Sequence, residues 1–398
     1  MTASATVSVV ATTANSRRPA HRPVLRRGVP LLLGMLILSS GPAMAATFCV
    51  ATGNDLASAL ETAAFNGQND EIRIRTGTLV RTGLTGTVPR WPYDMGAGGP
   101  SDTQYSITIS GGWTSCSTQV KDPRLTVLDA QNQGTGMYLQ MYNNDGAVTL
   151  SNFTITRGLN PGNLASRAAA NLSVSAPYST STILLDRLII VAGTSIVESG
   201  IAAGVELRGF GDGFGGKPGF TLRNSVIAYN TARNVAGLDV SVADAVVSLT
   251  NNSIFSNTST VALNCRCTGV NLTNDITTYV SSNVIVDNLD DANRPSDVRN
   301  FLGNTYMRNN HIGNLLAEVP PVFNLAMTSG NPNWTIAGIY PTPNPGSPLR
   351  DSGYNTPASG VGTLDLAGNT RITGGTIDRG AIEAAGVATD LIFADGFQ

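Results

Sequence analysis

The sequence predicts an all-β solenoid, a chain of short strands wound into stacked coils, and three observations point to it. A phrase of the form apolar-x-apolar-x-Asn-x-x-apolar recurs through the middle of the chain. Among 398 residues 13% are charged and 43 are Gly, whereas an average globular chain is about 25% charged and roughly 7% Gly. Helical periodicity is confined to one short segment near the N-terminus. A hydrophobic content of 41% with a formal net charge of −2 excludes a disordered chain. With no basic excess to neutralise phosphates, nucleic acid is excluded as a partner.

The repeat is clearest at Val148 to Ile155 around Asn152, Phe220 to Ile227 around Asn224, and Val247 to Ile254 around Asn251. Weaker copies are Ile183 to Ile190 with Arg187 in the Asn slot, Tyr279 to Val286 around Asn283, and Thr305 to Ile312 around Asn309. The markers lie 35, 37, 27, 32 and 26 residues apart. Apolar residues at i and i+2 face one side of a strand, and the marker then bends the chain into a second short strand. Such intervals suit one coil each, with loops of varying length at one corner. Coils stack at about 4.8 Å, so the apolar positions form interior columns. Stacked marker asparagines are expected to form a ladder of amide hydrogen bonds. A β-sandwich also has many short strands, but it does not require Asn at one fixed position. Tight bends account for the glycine, and an aliphatic core accounts for the scarcity of charge.

Residues 1–45 read as a cleaved secretory signal peptide. They hold Arg17, Arg18, Arg22, Arg26 and Arg27, no acid, an apolar run from Leu31 to Leu38, and the small-x-small end Ala43-Met44-Ala45. The run is too short to span a bilayer, which argues against a retained anchor. Cleavage leaves 20 basic against 27 acidic side chains, a net charge of −7. Cys49, Cys116, Cys265 and Cys267 then enter an oxidising compartment. The favoured pairing is Cys49 with Cys116, leaving Cys265 and Cys267 joined or reduced. A zinc site is disfavoured by the C-x-C spacing and by His311 being the one histidine after the leader. The segment from Asn54 to Phe65 is the amphipathic helix, with Asn54 or Asp55 as N-cap and Gly67 past its end. It is expected to cover the apolar N-terminal mouth of the solenoid. The Pro-rich segment from Pro320 to Pro348 should end the repeat and leave the solenoid.

Both ends carry a resemblance. Ser110-Gly-Gly-Trp113, Asp122-Pro123 and Thr126-Val-Leu-Asp129 resemble the first coils of secreted right-handed parallel β-helix proteins, including those with polymorphic outer-membrane-type repeats. Gly346-Ser-Pro-Leu-Arg-Asp351-Ser-Gly353, Asp365-Leu-Ala-Gly368-Asn369-Thr-Arg371 and Gly375-Thr-Ile-Asp378-Arg-Gly380-Ala-Ile-Glu383 resemble the choice-of-anchor Q module of bacterial surface proteins. Arg350 and Arg379 depart from its pattern. The resemblance implies a right-handed parallel β-helix over 46–319, an anchor-like region over 320–383 and a tail over 384–398, exported by a bacterium to its surface or medium.

Parallel β-helix proteins include pectate lyases and polygalacturonases, so the resemblance also implies a carbohydrate enzyme as one function. Lyase chemistry needs carboxylates, commonly around a cation, with an Arg or Lys base, and hydrolysis needs paired carboxylates. The densest acidic run is Asp287, Asp290, Asp291 and Asp297, beside Arg294 and Arg299, which supplies enough oxygen ligands for calcium. Asn293, Pro295 and Ser296 make the same run read as an exposed turn. A second surface is Glu198, Glu206, Arg208, Asp212 and Lys217, where alternation with Val205 and Leu207 turns Glu206 and Arg208 outward as an ion pair. Gly211 to Lys217 mimics a phosphate loop, but Pro218 replaces its hydroxyl. His311 reads as packed, and no serine has a triad. Trp91, Tyr93 and Trp113 are the candidate sugar platforms. The competing function, favoured by the lack of a convincing acid, base or metal set, is a monomeric surface protein that binds polysaccharide or another surface glycan without catalysis and without a cofactor.

Overall fold

The structure, a computed structural model, describes residues 45–84, 88–95, 105–162, 168–197, 202–213, 215–261 and 267–385. All of these belong to one unit. Among them the strands stack coil on coil into three long parallel ladders, each making one face of a parallel β-helix.

The first face begins at Ala46–Val50, Asp70–Arg75 and Ile107–Trp113. It continues through the first halves of Ala147–Thr156 and Thr182–Val191, then Gly219–Arg223 and Val246–Thr250. The second halves of Val270–Ser281 and Val298–Arg308 follow, and Phe323–Leu325 closes it. The second face stacks Trp91–Asp94, Met137–Gln140, Leu172–Pro177, Val205–Phe210 and Leu238–Ala243, and ends on Leu315–Ala317. The third face includes Gly77–Leu79, Thr126–Asp129, Val226–Ala228, Ser253–Phe255, Val284–Val286 and His311–Ile312.

Alternation along the first face fills the interior. Ile109, Leu150, Leu185, Leu222, Leu249, Val280 and Met307 share one register column, and each is at most 1% exposed. Burying each such side chain is worth about 1.5–3 kcal/mol. The glycine excess has a local cause where coils stack backbone to backbone. A Cβ on Gly237 would meet the carbonyl oxygen of Gly269 at 2.2 Å.

Five successive coils turn sharply at two left-handed residues five apart, and the next keeps only the first of them. The first column of bends is Asn152, Arg187, Asn224, Asn251, Ser282 and Asn309, and the second is Arg157, Ala192, Tyr229, Ser256 and Asp287, all with φ between 50° and 63°. Asparagine tolerates this conformation better than most residues, so four of the marker asparagines are bend residues. The copy assigned to Asn283 is corrected by one position: its bend is Ser282.

An amide ladder exists over the last three of these coils, one residue past the bends at Asn251, Ser282 and Asn309 instead of at them. Asn252 Nδ2 donates to Asn283 Oδ1 at 3.0 Å, and Asn283 Nδ2 to Asn310 Oδ1 at 3.0 Å. A second ladder follows the second column of bends, where Asn230, Asn257 and Asn288 pass amide hydrogen bonds along at 2.8–2.9 Å and Asp297 Oδ1 receives the last. The bend residue itself turns its side chain away from the interior, which is why the ladder belongs to the next position.

The ends are closed as a solenoid requires. The helix Gly53–Phe65 buries Leu56, Leu60 and Ala63 in the main core. Its cap is Thr52, whose Oγ1 accepts from the Asp55 amide at 3.1 Å, and not Asn54 or Asp55. Cys49 and Cys116 form the expected disulfide. Cys267 is also disulfide-bonded, while Cys265 lies outside the described residues, as do residues 1–44, which hold all but the last residue of the expected signal peptide, and residues 386–398. No helix among the described residues is long and apolar enough to cross a membrane.

The solenoid does not stop at residue 319. Leu315–Ala317 and Phe323–Leu325 add a further turn, with Thr328 bridging His311. Pro320 and Pro321 fall between these two strands, at a bend where the ladders do not need their missing N–H. After the hairpin of Trp334–Ala337 and Tyr340–Pro343, the chain packs back along the outside of the third face. Tyr340, Leu349, Leu366, Ala381 and Ile382 form a second core with Ile189, Val226, Phe255 and Val284. This strap is held by the marker column. Asn224 Nδ2 donates to Val361 O at 2.9 Å, Asn251 Nδ2 to Asp378 O at 3.0 Å and Asn309 Nδ2 to Ser352 O at 2.9 Å.

Candidate functional site: an axial cleft between the first face and the strap

Residues that alternate with the interior column must point outward on the first face. One outward row is Thr149, Leu184, Thr221, Ser248, Tyr279, Tyr306 and Phe323, each the register partner of the next. Two residues along each strand runs a parallel row of Ser151, Asp186, Arg223, Thr250, Ser281 and Arg308. At about 4.8 Å per coil the first row extends roughly 29 Å.

The strap supplies a wall beside these rows. The Tyr354 amide donates to Ser282 Oγ at 2.7 Å, Ser359 Oγ lies 3.0 Å from Thr250 Oγ1, and Arg223 Nη1 donates to Ser359 O at 3.3 Å. Two cavities open between wall and face. One, of about 420 Å³, is lined by Tyr279, Ser281, Tyr306, Arg308, Phe323, Tyr354 and the strap residues Thr356, Pro357 and Ala358. The other, of about 350 Å³, is lined by Thr149, Thr182, Thr221, Ser248, Arg223 and Ser359 together with the apolar Ile183, Leu184, Phe220 and Val246. The tyrosine end is aromatic and the far end mixes hydroxyls with aliphatic side chains. Tyr279 and Tyr306 stack with centroids 5.4 Å apart and planes 26° apart. Arg308 lies over Tyr354 at 3.9 Å and over Phe323 at 5.7 Å. At the far end Arg223 is paired with Asp186. The cleft therefore offers flat apolar rings, hydroxyl groups and a cation, and neither cavity has a carboxylate or imidazole in its lining.

The residues expected to carry chemistry lie elsewhere. Asp287 is an exposed bend residue, and Asp291 is exposed in the following turn. Asp290 closes that turn, accepting the Ala292 and Arg294 amides at 3.0 and 2.9 Å and Arg294 Nε at 2.7 Å. Asp297 is buried as the end of the second amide ladder, and burial pushes its carboxyl up to about 6. The four acids thus serve a bend, a turn and a ladder. Among the described residues no three His, Cys, Asp or Glu side chains gather as a metal site.

Glu206 and Arg208 do pair, at 2.5 Å, but not on an exposed surface. Glu206 is fully buried, and so nearly is its register partner Asp239 on the next coil. Burial raises Glu206 to about 7 and Asp239 to about 6, opposed by Arg208 beside the first and by Asn271, whose Nδ2 donates to Asp239 at 2.7 Å. Alternation gave the direction of Glu206 correctly and its exposure incorrectly. Asp212 accepts the Gly216 amide within its own loop and Lys217 pairs with Asp244, while Glu198 lies outside the described residues.

His311 is buried, with Nδ1 2.8 Å from Thr328 Oγ1 and Nε2 3.0 Å from Gly330 O. Of the aromatic residues expected to be platforms, Trp91 and Tyr93 are core residues and Trp113 is half-buried. Trp91 is buried and donates Nε1 to Gly53 O at 3.0 Å, Tyr93 is buried, and Trp113 lies beneath Arg73 at 4.5 Å. The motifs of the C-terminal resemblance bond to one another: Asp365 accepts the Asn369 and Glu383 amides, Asp378 the Asp351 and Ala384 amides, and buried Arg371 donates to Asp378 O and Gly380 O. Arg350 donates to Ala385 O, and Arg379 spends its donors on the last coil, at Asn310 O and Ala326 O. Comparison with protein families, curated proteins and solved structures finds no match for this chain.

Proposed function

We propose that this chain is an exported β-helix protein, of the cell surface or the medium, that binds a polysaccharide along the axial cleft without transforming it. The observation that carries the reading is the stacked Tyr279–Tyr306 pair facing Tyr354 across a cavity of about 420 Å³. Binding sites are typically concave and aromatic-lined, with a few polar groups to fix orientation. A cleft that crosses many coils suits a linear polymer better than a small molecule, and its hydroxyl rows match a polyhydroxylated chain. The leader-like N-terminus and the Cys49–Cys116 disulfide support export, since such bonds persist in oxidising compartments. Retention on immobilised polysaccharides tests the reading. Tyr306→Ala should weaken the retained interaction about tenfold, equivalent to ~1.4 kcal/mol, with unchanged thermal stability. Equal retention by the variant would reject the cleft as the site.

A second reading, a lyase or hydrolase acting on acidic polysaccharide, is favoured by one observation, the in-register carboxylates Glu206 and Asp239 beside Arg208. It requires release of unsaturated uronate or reducing ends by the wild-type chain and its loss in Glu206→Gln. Absence of product with polysaccharide bound would leave binding alone.

A further inference from the structure

We infer that the tyrosine end of the cleft reads negative charge: Arg308 receives the carboxylate of an acidic sugar while the neighbouring rings hold its apolar face. The inference rests on the polysaccharide-binding reading above and names its ligand class.

Arg308 is set apart from most other arginines by what it lacks. Arg73, Arg124, Arg157, Arg208, Arg223, Arg294 and Arg299 each pair with a carboxylate. Arg90, Arg371 and Arg379 donate to backbone carbonyls. Among the described residues the Arg308 guanidinium has neither kind of partner; its contacts are the faces of Tyr354 and Phe323. In a chain with 27 acidic side chains against 25 basic ones, a half-buried cation with no acid in its cavity is a local reversal of charge.

Cation–π contact with Tyr354 and Phe323 holds the guanidinium in the cavity. Its five N–H donors lie in one plane, a fork that matches a carboxylate and can grip it through two parallel hydrogen bonds. Tyr279 and Tyr306 sit on the adjoining outward row, and Ser281 and Thr356 place hydroxyls in the same cavity. A ring with an apolar face, hydroxyls at its rim and one carboxylate satisfies all of these groups together. Arg223, the other arginine of the cleft, already holds Asp186, so the charge-reading position is at the Arg308 end.

The test measures equilibrium binding of the whole chain to polygalacturonate, to its carboxyl-reduced neutral derivative and to dextran sulfate. The expected result is at least tenfold tighter binding to polygalacturonate than to the reduced polymer or to dextran sulfate. Arg308→Gln should abolish that preference, and Arg308→Lys should restore part of it, because an ammonium keeps the charge but loses the fork. Melting temperatures of both variants guard against misfolding. Equal affinity for polygalacturonate and its reduced form, a preference for the sulfated polymer, or a preference that survives Arg308→Gln would overturn the inference and leave polysaccharide binding standing. No binding to any of the three would overturn both.

Discussion

At the residue scale the interior of this solenoid is held by side chains that are polar yet fully buried. Asn257 shows why they are not exchangeable. Its Nδ2 donates to Ile227 O at 3.0 Å and to Asn288 Oδ1, and its Oδ1 accepts from Asn230 Nδ2 and from the Asn230 amide. Asn257→Ala leaves several of these groups buried without partners, and such orphaned groups cost about 1–3 kcal/mol each. The variant should lose roughly 3 kcal/mol of stability, seen as a lower denaturant midpoint; a loss below about 1 kcal/mol would mean that water replaces the ladder.

At the element scale the N-terminal closure depends on covalent and capping contributions together. The Cys49–Cys116 bridge closes a separation of 67 residues, for which loop entropy gives about 4 kcal/mol. Cys49→Ser with Cys116→Ser should lose an amount of that order in chemical unfolding, against about 1 kcal/mol for removing the helix cap with Thr52→Ala. A larger loss from the cap than from the bridge would contradict this ranking. The elements were legible in the sequence wherever alternation and bend chemistry agree, as at Asn152, Asn224 and Asn251. The cleft was not, and a single position explains much of that. With Asn283 taken as the marker, Tyr279 stands four residues before it. With the true bend Ser282 it stands three before, aligned with Tyr306 three before Asn309. A one-residue slip moves a side chain to the other side of a strand, so the misplaced marker hid the tyrosine stack. Tyr354 was out of reach for a different reason: it meets the face through a strap that packs back against coils more than forty residues earlier in the chain.

At the scale of the whole molecule, burial has raised several carboxyls at once. Glu206 and Glu383 are pushed to about 7, and Asp239 and Asp297 to about 6. Each binds its proton more tightly folded than unfolded, so the stability it contributes is present below about pH 4 and is lost as pH rises through 6 to 7. Buried His311 acts oppositely, since burial lowers its value and favours unfolding as pH falls below its ordinary 6.5. Four groups outweigh one. Thermal unfolding should therefore occur at higher temperature near pH 5 than near pH 8, and Glu206→Gln with Asp239→Asn should flatten the difference. A stability maximum at pH 8 would show that these carboxyls are ionised at no cost.

A structure of the chain with an acidic oligosaccharide bound tests recognition in the cleft directly. Sugar density is expected there, with one ring against Tyr279 and Tyr306 and its carboxylate at Arg308. Density lying instead along the row of Glu206 and Asp239, with the tyrosine cleft empty, would contradict it.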